Sequence, residues 1–155
     1  MKKIIKIIVS VAAPLAVGAL GSVFTSGSVN TWYSTLNKPA FNPPNWVFGP
    51  VWTLLFILMG VSFYLVWNKK FGKEPKKLIG IYAFQLILNL LWSLCFFGWQ
   101  NPTLALGEII VLWIAIAVNA FWFHQISRIA GNLLIPYLLW VSFAAVLNTA
   151  IVVLN

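Results

Sequence analysis

Long apolar runs, broken by short polar or proline-containing interruptions, set the plan of this chain. Five runs reach the ~20 mostly apolar residues that a helix needs to cross a bilayer: Ile4 to Thr25, Val47 to Trp67, Leu78 to Trp99, Leu104 to Ile126 and Leu133 to Leu154. The breaks carry turn chemistry: the Lys-rich segment Asn68 to Lys77, Gln100-Asn101-Pro102, and Arg128 to Asn132. All but the first break are short. Consecutive helices are therefore predicted to be antiparallel neighbours in a compact five-helix bundle. The fold class expected is an all-α integral membrane protein, with one domain over residues 1–155.

The first break is different. From Trp32 to Pro44 the chain reads Trp-Tyr-Ser-Thr-Leu-Asn-Lys-Pro-Ala-Phe-Asn-Pro-Pro, and its prolines remove backbone donors and push Lys38, Asn42 and Pro43 toward extended conformations. This long first loop cannot be a continuous helix. It is expected either to act as a lid across one mouth of the bundle or to anchor its aromatics among lipid headgroups.

Composition agrees with the pattern: 61% of the 155 residues are hydrophobic and 8% are charged, too few polar groups to cover a soluble surface. Lys2, Lys3 and Lys6 before an apolar stretch imitate a signal peptide, but the stretch is longer than a signal core, so the first run is expected to stay as a span. Ala12, Ala16 and Ala19 then line one face suited to close helix packing or to a subunit contact. Nine of the ten basic residues fall on one side if the spans alternate, with Lys38 alone on the other. By the positive-inside rule, the expectation is a cytoplasmic membrane with the N-terminus cytoplasmic and the C-terminus outside, the basic side facing anionic lipid. No nucleic-acid module accompanies these charges, and nucleic acid is not expected as a partner.

Inside the bundle, polar residues are costly and each carries a functional expectation. A rise of ~1.5 Å per residue places Trp52 and Phe56 one to two turns below the loop, Asn89 near mid-membrane, and Trp92, Ser93 and Phe96 above it. Helical spacing puts Asn89, Trp92, Ser93 and Phe96 on one face, and Trp140, Phe143, Ala144 and Leu147 on another. Two aromatic faces opposed beneath one loop form either ordinary packing or a pocket for a flat ligand. Nine tryptophans, several deeper than an interfacial belt reaches, favour the pocket.

These residues resemble a known family. Trp32-Tyr33-x-x-Leu36-x-Lys38-Pro39-x-Phe41-x-Pro43-Pro44, then Pro50-Val51-Trp52-Thr53-Leu54-Leu55-Phe56 with Met59-Gly60, is similar to the opening half of the TspO and translocator protein family, also called peripheral-type benzodiazepine receptors. Gln85-Leu86-x-Leu88-Asn89-x-x-Trp92-Ser93-x-x-Phe96-Phe97 and Pro136-Tyr137-Leu138-x-Trp140-x-x-Phe143-Ala144-x-x-Leu147-Asn148 continue the likeness. The resemblance implies a homodimer that binds porphyrins such as protoporphyrin IX, haem-related tetrapyrroles, sterols and isoquinoline-type drugs under the first loop. It implies ligand-binding positions at Tyr33, Pro43, Trp52, Phe56, Asn89, Trp92, Ser93, Trp140, Phe143 and Ala144. It also implies light- and oxygen-dependent protoporphyrin degradation in some relatives, with Trp52 and Trp140 matching the two tryptophans tied to that activity. Transport of such ligands, or a stress-regulatory scaffold, are the alternative roles. One departure concerns sterols: after Tyr137 the chain has neither a tyrosine nor a basic residue, so the Tyr-Lys/Arg pattern is missing.

Other reactive groups weigh less. His124 sits near the cytoplasmic end of its helix, far from the loop, and reads as a headgroup-level residue. Glu108, near the outer end of the same helix, reads as a surface or solvated charge, paired with Lys38 or alone. Cys95, the single cysteine, reads as a packing residue. Without aspartate or a cluster of metal ligands, neither hydrolytic nor metal chemistry has its residues, and no cofactor or metal is expected.

Overall fold

The computed structural model describes residues 2–70 and 73–155, so Phe71 and Gly72 of the Lys-rich connection lie outside the described residues. The elements are α1 (Lys2–Ser28), the short α2 (Trp32–Thr35), α3 (Asn45–Asn68), α4 (Pro75–Ser93) continuing into a π-helical turn (Leu94–Gly98), α5 (Pro102–Ile126), α6 (Arg128–Leu133) and α7 (Ile135–Leu154). They supply five helical segments long and apolar enough to cross a membrane, the fifth made of α6 and α7 together. The chain is an all-α integral membrane protein.

Helix ends fall where backbone donors are already accounted for. Pro75 and Pro102 occupy first-turn positions that need no N–H, and Asn101 Oδ1 caps α5 by accepting from the amide of Leu104 at 3.0 Å. The predicted connection Arg128 to Asn132 is itself helical, with Ser127 as its N-cap. Pro136, which lacks an N–H, marks the step from α6 to α7.

The predicted neighbour order is corrected at one point. The second and third spans are not packed backbone to backbone; α1 packs on both α3 and α4, while α5 packs on α4, α6 and α7, and α6 closes the ring against α3. Small residues give α1 that place. A Cβ on Gly60 would lie 2.6 Å from Val11 Cα and 2.7 Å from Ser10 O, so the α1 and α3 backbones touch there. The spans of α3 and α4 meet through long side chains, with Phe63 stacked on Tyr82 at 4.4 Å and Gln85 Nε2 donating to Met59 Sδ at 3.7 Å. Phe123 extends that stack at 5.9 Å from Tyr82, filling the half of the bundle away from the loop.

The loop is pinned rather than loose. Tyr33 of α2 is buried and its Oη donates to Asn42 Oδ1 at 2.9 Å, while Asn42 Nδ2 donates to Pro43 O at 3.0 Å. Asn155 holds the Asn37 backbone from the far end of the chain, accepting from its N–H and donating to its carbonyl, each at 2.9 Å.

Candidate functional site

A cavity of about 510 Å³ occupies the loop-side half of the bundle, between α1, α3, α4 and α7. Helical periodicity builds its walls. On α3 Trp52 stacks on Phe56, centroids 5.7 Å apart and planes 29° apart, and its edge meets Tyr137 at 6.2 Å. On α4 Trp92 stacks on Phe96 at 5.2 Å and 25°. On α7 Trp140 leans against Phe48 at 6.0 Å and Phe143 at 5.4 Å.

Three hydrogen bonds made by two asparagines hold these rings. Asn89 Nδ2 donates to the buried Tyr137 Oη at 2.8 Å, tying α4 to α7 at the cavity floor. Trp92 Nε1 donates to Asn148 Oδ1 at 3.3 Å, and Asn148 Nδ2 donates to Pro102 O at 2.8 Å, so one buried asparagine joins α4, α5 and α7. Beneath the loop, burial pushes the Tyr33 phenol above its ordinary value, against the opposing hydrogen bond to Asn42.

Of the ten predicted binding positions, the structure brings eight to this wall: Tyr33, Trp52, Phe56, Asn89, Trp92, Ser93, Trp140 and Ala144. Pro43 and Phe143 are not on it. Phe143 turns one position away from Ala144 and faces an apolar groove between α3 and α7, where Phe41 of the loop meets it at 6.4 Å. Pro43 serves the loop, accepting from Asn42.

The sequence reading missed the α1 wall. Leu15, Gly18, Gly21, Ser22 and Thr25 line the cavity, and a Cβ on Gly18 would run into the Phe56 ring. Their signal was a face of small and hydroxyl residues at i, i+3, i+4 and i+7 from Gly18, which carries no chemistry of its own. Glu108 is also corrected. Both of its carboxylate oxygens are buried without a hydrogen-bond partner, because α5 packs on α4 and α7 and turns that face inward. Lys38 does not reach it; its Nζ donates to Leu36 O at 3.1 Å and stands 4.8 Å over the Tyr33 ring. His124 lies at the last turn of α5, outside the cavity.

No charged side chain lines the cavity, and no group of three or more metal-ligating residues exists among the described residues. The wall offers flat aromatic faces, the three amides of Asn45, Asn89 and Asn148, and a few hydroxyls. Such a surface can hold a flat hydrophobic molecule by stacking and place a few polar atoms, and it contains no acid–base pair.

Known proteins resemble this chain over most of its length. The profile of the TspO/MBR family matches residues 10–154. A tryptophan-rich protein TspO from Archaeoglobus fulgidus is 46% identical over 152 residues, covering 98% of each chain. The human translocator protein is 40% identical over 131 residues, 83% of this chain and 78% of its own. A tryptophan-rich sensory protein from Cereibacter sphaeroides is 36% identical over 140 residues, 88% of this chain and 87% of its own.

Proposed function

The chain belongs to the TspO/MBR family, and from that membership and the aromatic cavity we propose that it is a membrane receptor for porphyrins and other flat hydrophobic ligands, protoporphyrin IX first among them. The observation that carries the proposal is three indoles, Trp52, Trp92 and Trp140, on three helices around one uncharged cavity of about 510 Å³. That volume lies within the range of small-molecule sites, and a macrocycle gains most from several aromatic faces at once. Beyond the floor the bundle is filled by Met59, Phe63, Tyr82 and Phe123, which supports holding a ligand over passing it across.

Light- and oxygen-dependent degradation of bound protoporphyrin extends the same reading. The excited porphyrin would supply the energy and dioxygen the oxidant, so the chain need only hold the macrocycle beside oxidisable indoles. That Trp52 and Trp140 both line the cavity supports this reading. The basic residues of the N-terminus and the Lys-rich connection support a cytoplasmic membrane with that side inward, and a homodimer, implied by the family resemblance, completes the proposal. Crosslinking in native membranes tests the dimer, with a monomer band alone as the contrary result.

The test of binding is a dark titration of the detergent-purified protein with protoporphyrin IX, followed by quenching of tryptophan fluorescence. Saturable quenching that is weakened at least about tenfold by Ala144→Trp, which fills the cavity from α7, supports the proposal. Quenching that never saturates, or that ignores the substitution, overturns it.

A further inference from the structure

The lining of the cavity reaches exposed positions on both α1 and α3. At depth α1 and α3 are in contact through Gly60 against Ser10 and Val11, and through Gly18 against Phe56. Toward the loop there is free space beside α3, where a side chain added at Gly49 would meet no atom within 4 Å. The facing edges of this gap carry Ala19, Ser22 and Ser26 on α1 and Gly49 and Thr53 on α3. Each of the five lines the cavity and is exposed, as the edges of a slot through a wall would be. None is larger than threonine.

The chemistry of the edges suits hydrocarbon. The hydroxyls of Ser22, Ser26 and Thr53 donate to carbonyls of their own helices, to Ala19 O at 2.7 Å, Val23 O at 3.3 Å and Gly49 O at 2.9 Å. Their donors are thus satisfied within the helix and leave no bare polar group facing lipid. Both edges belong to helices long and apolar enough to cross a membrane. At the loop end the chain is held by contrast, since Asn155 grips the Asn37 backbone and Tyr33 is bonded to Asn42.

We propose that ligands enter and leave the cavity sideways, from the loop-side leaflet through the slot between α1 and α3, and that the small residues on its edges set which molecules pass. The ligand class is a flat amphiphile that partitions into the bilayer and slides in edge-on. This inference rests on the cavity being the binding site, as argued above.

Stopped-flow measurements in phosphatidylcholine proteoliposomes, with protoporphyrin IX in the dark and tryptophan quenching as the signal, separate route from affinity. Gly49→Leu and, on the opposite edge, Ser22→Leu narrow the slot; Gly27→Leu is a control at an equally open glycine off the cavity. Both edge variants should slow association and dissociation together by about tenfold, over and above any change the altered wall makes in Kd, because a raised passage barrier acts on both directions. The control and Asn155→Ala, which frees the loop, should keep wild-type rates. Unchanged rates in both edge variants, a Kd that shifts without a common change of rates, or faster entry in Asn155→Ala would overturn the lateral route. Absence of saturable quenching in the wild-type protein would instead remove the cavity reading, and the route with it.

Discussion

Asn148→Leu removes a side chain that ties three helices together beside the cavity. Asn148 is 1% exposed, so leucine of similar size fills its site without leaving a void, and the loss is of hydrogen bonds alone. Two bonds go: the one accepted from Trp92 Nε1 at 3.3 Å, which is long, and the one donated to Pro102 O at 2.8 Å, which is short. Inter-helix bonds inside membranes are worth about 0.6 kcal/mol on average and up to ~1.7 kcal/mol. The long bond at the low end and the short one at the high end sum to about 2 kcal/mol, before any further cost of an indole N–H left buried. Reversible unfolding in mixed detergent and SDS micelles, read by circular dichroism, should show the variant less stable by about 1–3 kcal/mol. Protoporphyrin affinity should fall as well, since Trp92 loses the bond that sets its ring. A stability change below about 0.3 kcal/mol, within the scatter of independent surface sites, would refute the claim that Asn148 is the junction of the loop-side half.

Replacing Trp52 and Trp140 together by phenylalanine should keep dark binding, measured by porphyrin absorbance, and abolish loss of that absorbance under light; degradation at the wild-type rate would exclude the two indoles. Gly60→Leu should lower stability by about 1–3 kcal/mol or prevent folding, because the added side chain meets the α1 backbone, and a thermal midpoint equal to wild type would contradict that contact. Ser62→Ala, which deletes the 2.7 Å bond to Ala130 O, should cost about 1 kcal/mol in the same unfolding assay, and no change would show that the α3–α6 contact does not depend on it. Tyr33 carries a phenol raised by burial, so its contribution is complete below the ordinary phenol value of about 10 and is lost as pH climbs through the higher folded value. Thermal stability should therefore fall less steeply above about pH 10 in Tyr33→Phe than in wild type; parallel curves would contradict the assignment.

The features legible in the sequence were those written in residue type and spacing. Five apolar runs became five spans, and the faces of α4 and α7 that helical spacing drew together do line one cavity. Azimuth and neighbour order were harder to read. Depth placed Glu108 near the end of α5, but its rotation about the helix axis turned the carboxylate inward. Phe143 and Ala144 are adjacent in sequence, yet about 100° of helical turn sends one to the lipid groove and the other to the cavity. Short connections did not dictate packing, because the glycines of α1 let it lie against both α3 and α4. Those same small residues form a wall by what they leave empty. A motif search keyed to reactive or aromatic side chains passes over them.

The most direct measurement is an experimental structure of the protein with protoporphyrin IX bound in the dark. The account predicts macrocycle density between Trp52, Trp92 and Trp140, with the Asn89–Tyr137 pair beneath it. Density confined to the lipid-facing surface, or to the groove beside Phe143 with the cavity empty, would contradict it.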